Sequence, residues 1–184
     1  MAIVDMGGSK GHVLEDVRVH IPQLKGRLIL QDLPEVLWDV DIDGIELMSH
    51  DFLKDKQPVL GAVVYLFRQI FLNWNDEKGL QILKNTSRLP HLRVILTELM
   101  KWNALEFRHS RLLIMEPVLP SLGVPLPQAL LDIQMSQMGG GLRTQKQWKH
   151  FLHKAGFVVA RFLEGQSGQT VIEAFRADTQ PNSE

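Results

Sequence analysis

Short apolar runs alternate with segments of helical spacing along the chain. The apolar runs predict seven strands, at residues 2–6, 27–31, 45–48, 62–66, 111–117, 157–162 and 170–175. Between them, apolar residues recur every three or four positions and predict helices at residues 11–21, 33–38, 75–84, 89–107, 126–137 and 145–155. This alternation, closed by a hairpin, predicts an α/β, Rossmann-like fold: a mostly parallel seven-stranded sheet with an antiparallel C-terminal hairpin strand and helices on both faces.

Capping residues support several of these boundaries. Asn75 and Thr144 precede predicted helices and are suited to cap them, and Gly156 is suited to the C-terminal end of the helix at 145–155. Residues 177–184 are polar and predict a disordered tail. Residues 1–176 are therefore expected to form one domain.

Composition narrows the possible partners. The chain is 45% hydrophobic and 22% charged, with a net charge of −1 and a pI of about 6.7, which gives no electrostatic reason to expect nucleic acid or an anionic membrane. It contains no cysteine, which excludes disulfides and thiolate metal sites. The N-terminus has no signal-peptide pattern, and no apolar run reaches the ~20 residues that span a bilayer. We expect a soluble, cytoplasmic protein.

A glycine-rich turn follows the first predicted strand. Gly7, Gly8 and Gly11 interrupt the apolar run and precede a helical pattern. Glycine permits backbone angles with φ > 0 and lets the backbone approach a ligand closely. In α/β sheets, nucleotide-like cofactors bind at such a turn, over the carboxyl ends of the strands. Alone, this spacing is a weak signal.

Two acidic positions strengthen the signal. Asp32 lies 21 positions after Gly11, at the end of the second predicted strand. Its carboxylate is placed to accept hydrogen bonds from both ribose hydroxyls of an adenosine cofactor, or to cap the helix that follows, and the two roles are compatible. After the third strand, Asp51 and Phe52 offer an acid and an aromatic face to an adenine, or simply form a loop.

Several segments together resemble one protein family. They are VDMGGSKGH at 4–12, GRLILQDLPEV at 26–36, HDF at 50–52, residues 65–77, SRLLIMEP at 110–117 and LRTQKQW at 142–148. In this order they resemble the S-adenosylmethionine-dependent class I O-methyltransferases of the caffeate type, in their fungal secondary-metabolite branch. The resemblance implies the Rossmann-like methyltransferase fold, S-adenosyl-L-methionine as cofactor and a small phenolic or polyketide-type substrate.

The resemblance also implies a set of cofactor residues. The implied contacts are Asp5, Gly7, Gly8 and Gly11 for the methionine part, Asp32 with Leu33 for the ribose, Asp51 with Phe52 for the adenine, Arg68 near the cofactor carboxylate, and Trp74. Neither the family's chemistry nor the residue spacing requires a metal.

The catalytic positions depart from the family pattern. The resemblance places the family's base, a histidine, at Leu72 and one of its two orienting acids at Leu142, whereas Glu116 matches the other acid. Leucine has no lone pair, so it cannot supply general base catalysis, which contributes ~10²–10⁴-fold in rate. His150 and His153 are expected on the surface and offer no substitute.

Three alternatives for function remain open at this point. The chain is an O-methyltransferase, a non-methylating descendant that serves as scaffold, subunit or auxiliary in a cyclisation or pericyclic step, or an inactive fragment. The resemblance implies an N-terminal dimerisation domain that this sequence is expected to lack, so apolar surface is expected on the helices at 126–138 and 89–107. The candidates are Met100, Trp102, Met135 and Met138, and the alternative for them is ordinary core packing. A homodimer or a complementing subunit would cover such an apolar surface. The segment at 89–107 receives no function.

Overall fold

A computed structural model describes residues 2–87, 110–165 and 168–177. The elements in chain order are β1 Ala2–Met6, α1 His12–His20, β2 Arg27–Asp32, α2 Pro34–Leu37, β3 Glu46–Ser49, β4 Val64–Arg68, a 3-10 helix Phe71–Asn73, α3 Asp76–Thr86, β5 Arg111–Glu116, β6 Val118–Leu119, α4 Leu126–Gln137, β7 Arg143–Thr144, α5 Gln145–Lys154, β8 Phe157–Glu164 and β9 Thr170–Arg176. The predicted helix at 89–107 and most of the predicted tail, from residue 178 onward, lie outside the described residues.

Seven strands form one sheet in the order β3-β2-β1-β4-β5-β9-β8. β1 pairs in parallel with β2 and β4, and β2 pairs in parallel with β3. β9 runs antiparallel to both β5 and β8. The predicted α/β class and mostly parallel sheet are confirmed. The parallel pair of β6 with β7 was not predicted, because strands of two residues are too short to show a period.

The predicted boundaries of the fourth strand were wrong. The strand was expected at 62–66 with a helical turn directly after it, but it runs to Arg68, and the 3-10 turn begins only at Phe71. Backbone pairing explains the extension, because the Gln69 N–H donates to the Met115 carbonyl at 3.0 Å beyond the end of the strand. The caps at Thr144 and Gly156 are confirmed: Thr144 forms a capping box with Gln147, and Gly156 has φ 82°.

The described residues fall into two compact units, one of residues 2–66, 84–87 and 110–111, the other of 67–83, 112–165 and 168–177. The first unit has its core between α1 and β2, where Leu14, Leu28, Leu30, Leu37 and Ile45 are buried together. The prediction of a single domain at 1–176 stays a prediction.

The second unit has an aromatic core. Phe71 lies 5.1 Å from Phe67, 5.8 Å from Trp148 and 5.9 Å from Phe151, measured between ring centroids. The pairs with Trp148 and Phe151 are edge-to-face, the arrangement that aromatic rings prefer over a face-to-face stack. This core packs α5, which carries Trp148 and Phe151, against the 3-10 turn, and so fixes the turn where the family resemblance places the catalytic base.

Candidate functional site

The glycine turn after β1 has the conformation that its glycines permit. Gly7 and Gly11 have φ of 69° and 77°, in the left-handed region. The N–H groups of Gly7 and Gly8 donate to the Gln31 carbonyl at 2.7 and 3.2 Å, and the Gly11 N–H donates to the Gly8 carbonyl at 2.9 Å. The turn is thus folded over the end of β2.

Neighbouring side chains leave no room for a Cβ in this turn. A Cβ on Gly8 would lie 2.4 Å from Oδ2 of Asp5, which is 1% exposed, and a Cβ on Gly11 would lie 2.6 Å from Cδ1 of Ile42. Gly8 therefore requires glycine for space, and Gly11 requires it for its positive φ. A bare backbone results at this end of the sheet, where a ligand can approach it closely.

Asp32 joins three segments of the first unit. Its Oδ2 accepts the Ser9 N–H at 2.8 Å, its Oδ1 accepts the Leu33 N–H at 2.8 Å, and its backbone carbonyl accepts the His50 N–H at 2.9 Å. Each carboxylate oxygen keeps a further lone pair, which suits it to a vicinal diol. The alternative role as helix cap was wrong, because Leu33 is the N-cap residue of α2 and no side chain caps that helix.

The loop after β3 is held by its own acid. Oδ1 of Asp51 accepts the N–H groups of Leu53 at 3.0 Å and Lys54 at 3.3 Å, and Oδ2 pairs with the Lys54 ammonium at 2.9 Å. The hydrogen bond from Lys54 holds the pKa of Asp51 below its ordinary value. Asp51 is therefore ionised, and half-buried Phe52 follows it.

Two polar residues that the sequence analysis missed support this loop. Nδ2 of Asn85, near the end of α3, donates to the carbonyls of Phe52 and Leu53, both at 3.0 Å. Gln57 is buried, and its amide pairs with that of Gln31 through two hydrogen bonds of 2.8 and 2.9 Å. A lone amide in a polar loop has no sequence signal, because only its distant partner gives it a role.

The 3-10 turn that carries Leu72 is fixed at its N-terminal end by Glu116. Oε1 of Glu116 accepts the Phe71 N–H at 2.7 Å, and the residue is 1% exposed. Burial raises the pKa of Glu116 to about 7, although the nearby N–H groups and the charge of Arg143 act in the opposite direction. Glu116 therefore changes its charge near neutral pH.

Arg143 fixes the other end of the same turn. Its guanidinium donates to the carbonyls of Phe71 at 3.0 Å and Trp74 at 3.2 Å, and to Oδ1 of Asp76 at 2.7 Å. The group also lies 4.7 Å from the centroid of the Phe151 ring. The sequence analysis gave Arg143 no role, because these partners are far away along the chain.

Leu72 and Leu142 lie together in an apolar cluster. With Met135 they form a set of buried side chains, so core packing, one of the two alternatives for Met135, is confirmed, whereas Met138 is exposed. The Leu72 carbonyl accepts the Gly141 N–H at 2.9 Å, which holds residues 139–141, the glycine loop, against the 3-10 turn. The two positions that the resemblance assigns to base and acid are thus occupied by hydrophobic side chains in one cluster.

We predict that Gly140→Ala destabilises the fold by about 1–3 kcal/mol, as overpacking typically does. A Cβ at this position would lie 2.0 Å from the Leu72 carbonyl oxygen, a backbone atom that cannot rotate away. Urea unfolding measures the loss. Gly139→Ala is the comparison, since nothing lies within 4 Å of its Cβ. It should lose only the roughly 1–2 kcal/mol that a φ of 85° costs alanine, and Gly140→Ala should lose more. Equal losses for the two variants would contradict the proposed collision.

Most of the chain matches a known family. Residues 1–158 match the O-methyltransferase domain. The chain belongs to this family. A curated relative, the O-methyltransferase asqD of Emericella nidulans, is 37% identical over 177 residues, which is 94% of this chain and 42% of the relative. The chain thus spans about two fifths of the length of two of the curated relatives that it matches, with shares of 40% and 42%.

Solved structures of similar fold include one with bound ligands and one of a pericyclic reaction enzyme. The structure of OxaC in complex with SAH and oxaline gives a TM-score of 0.80 at 32% identity, covering 94% of this chain and 42% of that one. A structure described as a pericyclic reaction enzyme gives a TM-score of 0.80 at 31% identity, covering 95% of this chain and 42% of that one. Both structures are more than 30% identical to this chain, so the similarity extends to the sequence as well as the fold.

The remaining expected residues of this O-methyltransferase domain have the following places. Arg68 is exposed at the end of β4, and Trp74 is half-buried after the 3-10 turn, with the Lys78 ammonium 4.8 Å from its ring centroid. His150 and His153 are exposed on α5, as expected. Within the described residues, no cluster of histidine and acidic side chains is arranged to bind a metal ion. Among the helices of that part of the chain, none is long and apolar enough to span a bilayer.

Proposed function

We propose that this chain binds S-adenosyl-L-methionine and transfers its methyl group to a hydroxyl of a small phenolic or polyketide-type metabolite. The observation that carries the proposal is the position of Asp32, whose carboxylate bonds to the glycine turn through Ser9 and to the start of α2 through Leu33. A carboxylate at the end of the second strand, beside such a turn, is suited to ribose hydroxyls. Membership of the O-methyltransferase family supports the reaction, and the relative OxaC was solved with SAH.

The turn itself suits such a cofactor, because Gly7, Gly8 and Gly11 carry no side chains and the turn can be approached closely by a ligand. We assign the cofactor contacts as follows: Asp5, Gly7, Gly8 and Gly11 to the methionine part, Asp32 and Leu33 to the ribose, Asp51 and Phe52 to the adenine, Arg68 to the carboxylate, and Trp74 as a further contact. The family resemblance supports each of these assignments.

We predict that Asp32→Asn weakens the binding of S-adenosylhomocysteine about 10- to 100-fold. The variant loses a charged acceptor, and hydrogen bonds to charged groups contribute about 1.5–3 kcal/mol each. Titration calorimetry measures the affinity, and Glu35→Gln, a change at an exposed carboxylate of α2, should leave it within about twofold. An unchanged affinity for Asp32→Asn would remove Asp32 from the ribose site.

The proposed transfer proceeds without the family's base. A bound S-adenosylmethionine supplies an electrophilic methyl group on a positively charged sulfur. Leu72 stands at the position of the base and Leu142 at that of one acid, so neither accepts a proton, and Glu116 is bonded to the backbone of the turn. Holding the acceptor in line with the methyl group then provides the catalysis that this chain can offer.

A second candidate is a non-methylating, cofactor-binding protein that assists a cyclisation or pericyclic step, or serves as scaffold or subunit. The apolar cluster at Leu72 favours it, and one solved relative is described as a pericyclic reaction enzyme. Formation of S-adenosylhomocysteine with a panel of phenols separates the candidates. Cofactor binding without turnover, unchanged by Leu72→His, would favour the second candidate, and absence of cofactor binding would leave an inactive fragment.

We also propose that α4 forms a contact with a second copy or a complementing subunit. Leu126, Leu130 and Ile133 follow one another at helical spacing and are 70%, 57% and 57% exposed. Such a stripe of large apolar side chains on a surface marks interaction sites. Sedimentation of the chain and of a Leu130→Glu variant tests the proposal, since a monomer in both cases would contradict self-association.

A further inference from the structure

The two positions at which the chain departs from the family pattern are in one cluster. Leu72 lies on the 3-10 turn and Leu142 precedes β7, and with Met135 of α4 both are buried. Leu119 and Leu131 are half-buried and pack against this trio. The resemblance implies a polar pair, a histidine and an acid, at positions 72 and 142. In this chain both positions carry leucine, and the two leucines pack in one cluster. The inference that follows rests on the proposed methyl transfer.

The charged groups nearest to the cluster bond to backbone instead. Glu116 accepts the Phe71 N–H, and Oδ1 of Asp132 accepts the Leu142 N–H at 2.7 Å. Arg143 donates to the Phe71 and Trp74 carbonyls. Their bonds fix the turn and the glycine loop. Within the described residues of the second unit, the side chains of the cluster thus include no group that can take a proton from an acceptor.

We propose that the Leu72–Met135–Leu142 cluster restricts the acceptor to hydroxyl compounds that are ionised before they bind, such as the enols of 1,3-dicarbonyl compounds. A phenol with a pKa near 10 is anionic in only about one molecule per thousand at pH 7, whereas an enol with a pKa near 5 is anionic in about 99%. Without a protein base, that difference raises the rate for the enol, and the lower nucleophilicity of its less basic anion reduces the preference to about 100-fold. Apolar surroundings also strengthen the attraction between an acceptor anion and a sulfonium.

The step balances without a proton transfer in the site. The oxygen of the enolate forms a bond to the methyl carbon, the bond from that carbon to sulfur breaks, and its electron pair stays on sulfur. The positive charge of the sulfonium and the negative charge of the enolate disappear together. The products are a neutral methyl enol ether and S-adenosylhomocysteine, and the acceptor has already released its proton to solvent.

The test compares two bicyclic acceptors of similar size, 2-naphthol as an ordinary phenol and 4-hydroxycoumarin as an acidic enol. The full chain is first saturated with sinefungin, an unreactive cofactor analogue, and the ultraviolet spectrum of each bound acceptor is recorded at pH 7. We expect 4-hydroxycoumarin to bind as its anion at least 10-fold more tightly than 2-naphthol, which stays neutral. A naphtholate band in the wild-type complex, equal affinities, or no binding of 4-hydroxycoumarin would overturn the inference. Failure of sinefungin itself to bind at millimolar concentration would instead remove the proposed function.

A double-mutant cycle tests the contact without any ligand. Leu72→His alone should lower Tm by about 4–8 °C, because it buries an imidazole among apolar side chains. The double variant Leu72→His/Leu142→Glu should lose clearly less than the sum of its single variants, since the two new groups can pair. Leu122→His, at an 89% exposed position in the loop before α4, is the control and should change Tm little. In the double variant, a naphtholate band should appear and the preference for the enol in kcat/KM should fall from about 100-fold to below about 10-fold. Additive losses of Tm would overturn the paired replacement.

Discussion

Replacing Arg143 with methionine is expected to lower the free energy of unfolding by about 1–3 kcal/mol, the cost of leaving a buried polar group without its partner. Arg143 is 7% exposed, and its guanidinium satisfies the carbonyls of Phe71 and Trp74. Methionine fills a similar volume but leaves the Trp74 carbonyl without this donor, whereas the Phe71 carbonyl still accepts the Trp74 N–H at 3.2 Å. Urea unfolding followed by tryptophan fluorescence measures the change.

A surface arginine provides the matched control for this prediction. Arg161 pairs with Glu173 on the terminal hairpin, but its side chain is 63% exposed. Exposed ion pairs contribute about 0–1 kcal/mol, so Arg161→Met should change stability little. Arg143→Lys should fall between, because an ammonium keeps the charge but cannot reach several acceptors with a planar fork. Equal effects at Arg143 and Arg161 would show that the turn is not held by Arg143.

Replacing Glu116 with glutamine is expected to remove a pH dependence of stability of about 3 kcal/mol. Burial raises the pKa of Glu116 from 4.5 to about 7, so the native state retains between these values a proton that the unfolded chain releases. The contribution is fully present below pH 4.5 and is lost as pH rises through 7. A pKa raised by that amount corresponds to about 3 kcal/mol.

The measurement is urea unfolding of wild type and Glu116→Gln at pH 4.5, 6 and 7.5. The glutamine keeps an oxygen that can accept the Phe71 N–H, so the variant should fold at each pH. The advantage of wild type over the variant should shrink steadily as pH increases. Glu164→Gln, at an exposed position on β8, should give a curve parallel to wild type. Parallel curves for Glu116→Gln as well would place its carboxyl titration outside this pH range.

These two residues explain why the 3-10 turn can keep its backbone while its central side chain differs from the family pattern. Glu116 holds the first N–H of the turn and Arg143 holds the carbonyls of Phe71 and Trp74. Neither interaction involves the side chain of Leu72. A change of that side chain can therefore alter the chemistry of the site without moving the turn, and this separates cofactor binding from base catalysis as features that can be lost independently.

The sequence by itself determined the features that depend on near neighbours. The period of apolar residues indicated the strands and helices, and local chemistry located the caps at Thr144 and Gly156. The glycine turn could be predicted because its glycines and the preceding strand are contiguous. The boundary near Arg68 failed, because its pairing with the segment around Met115 outweighed the local helical pattern.

Only the tertiary structure decided which distant groups meet. Phe71 and Glu116 are separated by 45 positions, and Phe71 and Arg143 by 72, so no local period connects them. The same holds for the contact of Leu72 with Leu142 and for the amide pair of Gln31 with Gln57. Buried polar groups need partners wherever the fold brings them, and apolar side chains pack with whatever surrounds them. The sequence thus located the residues of the candidate site, and the fold alone assigned their partners.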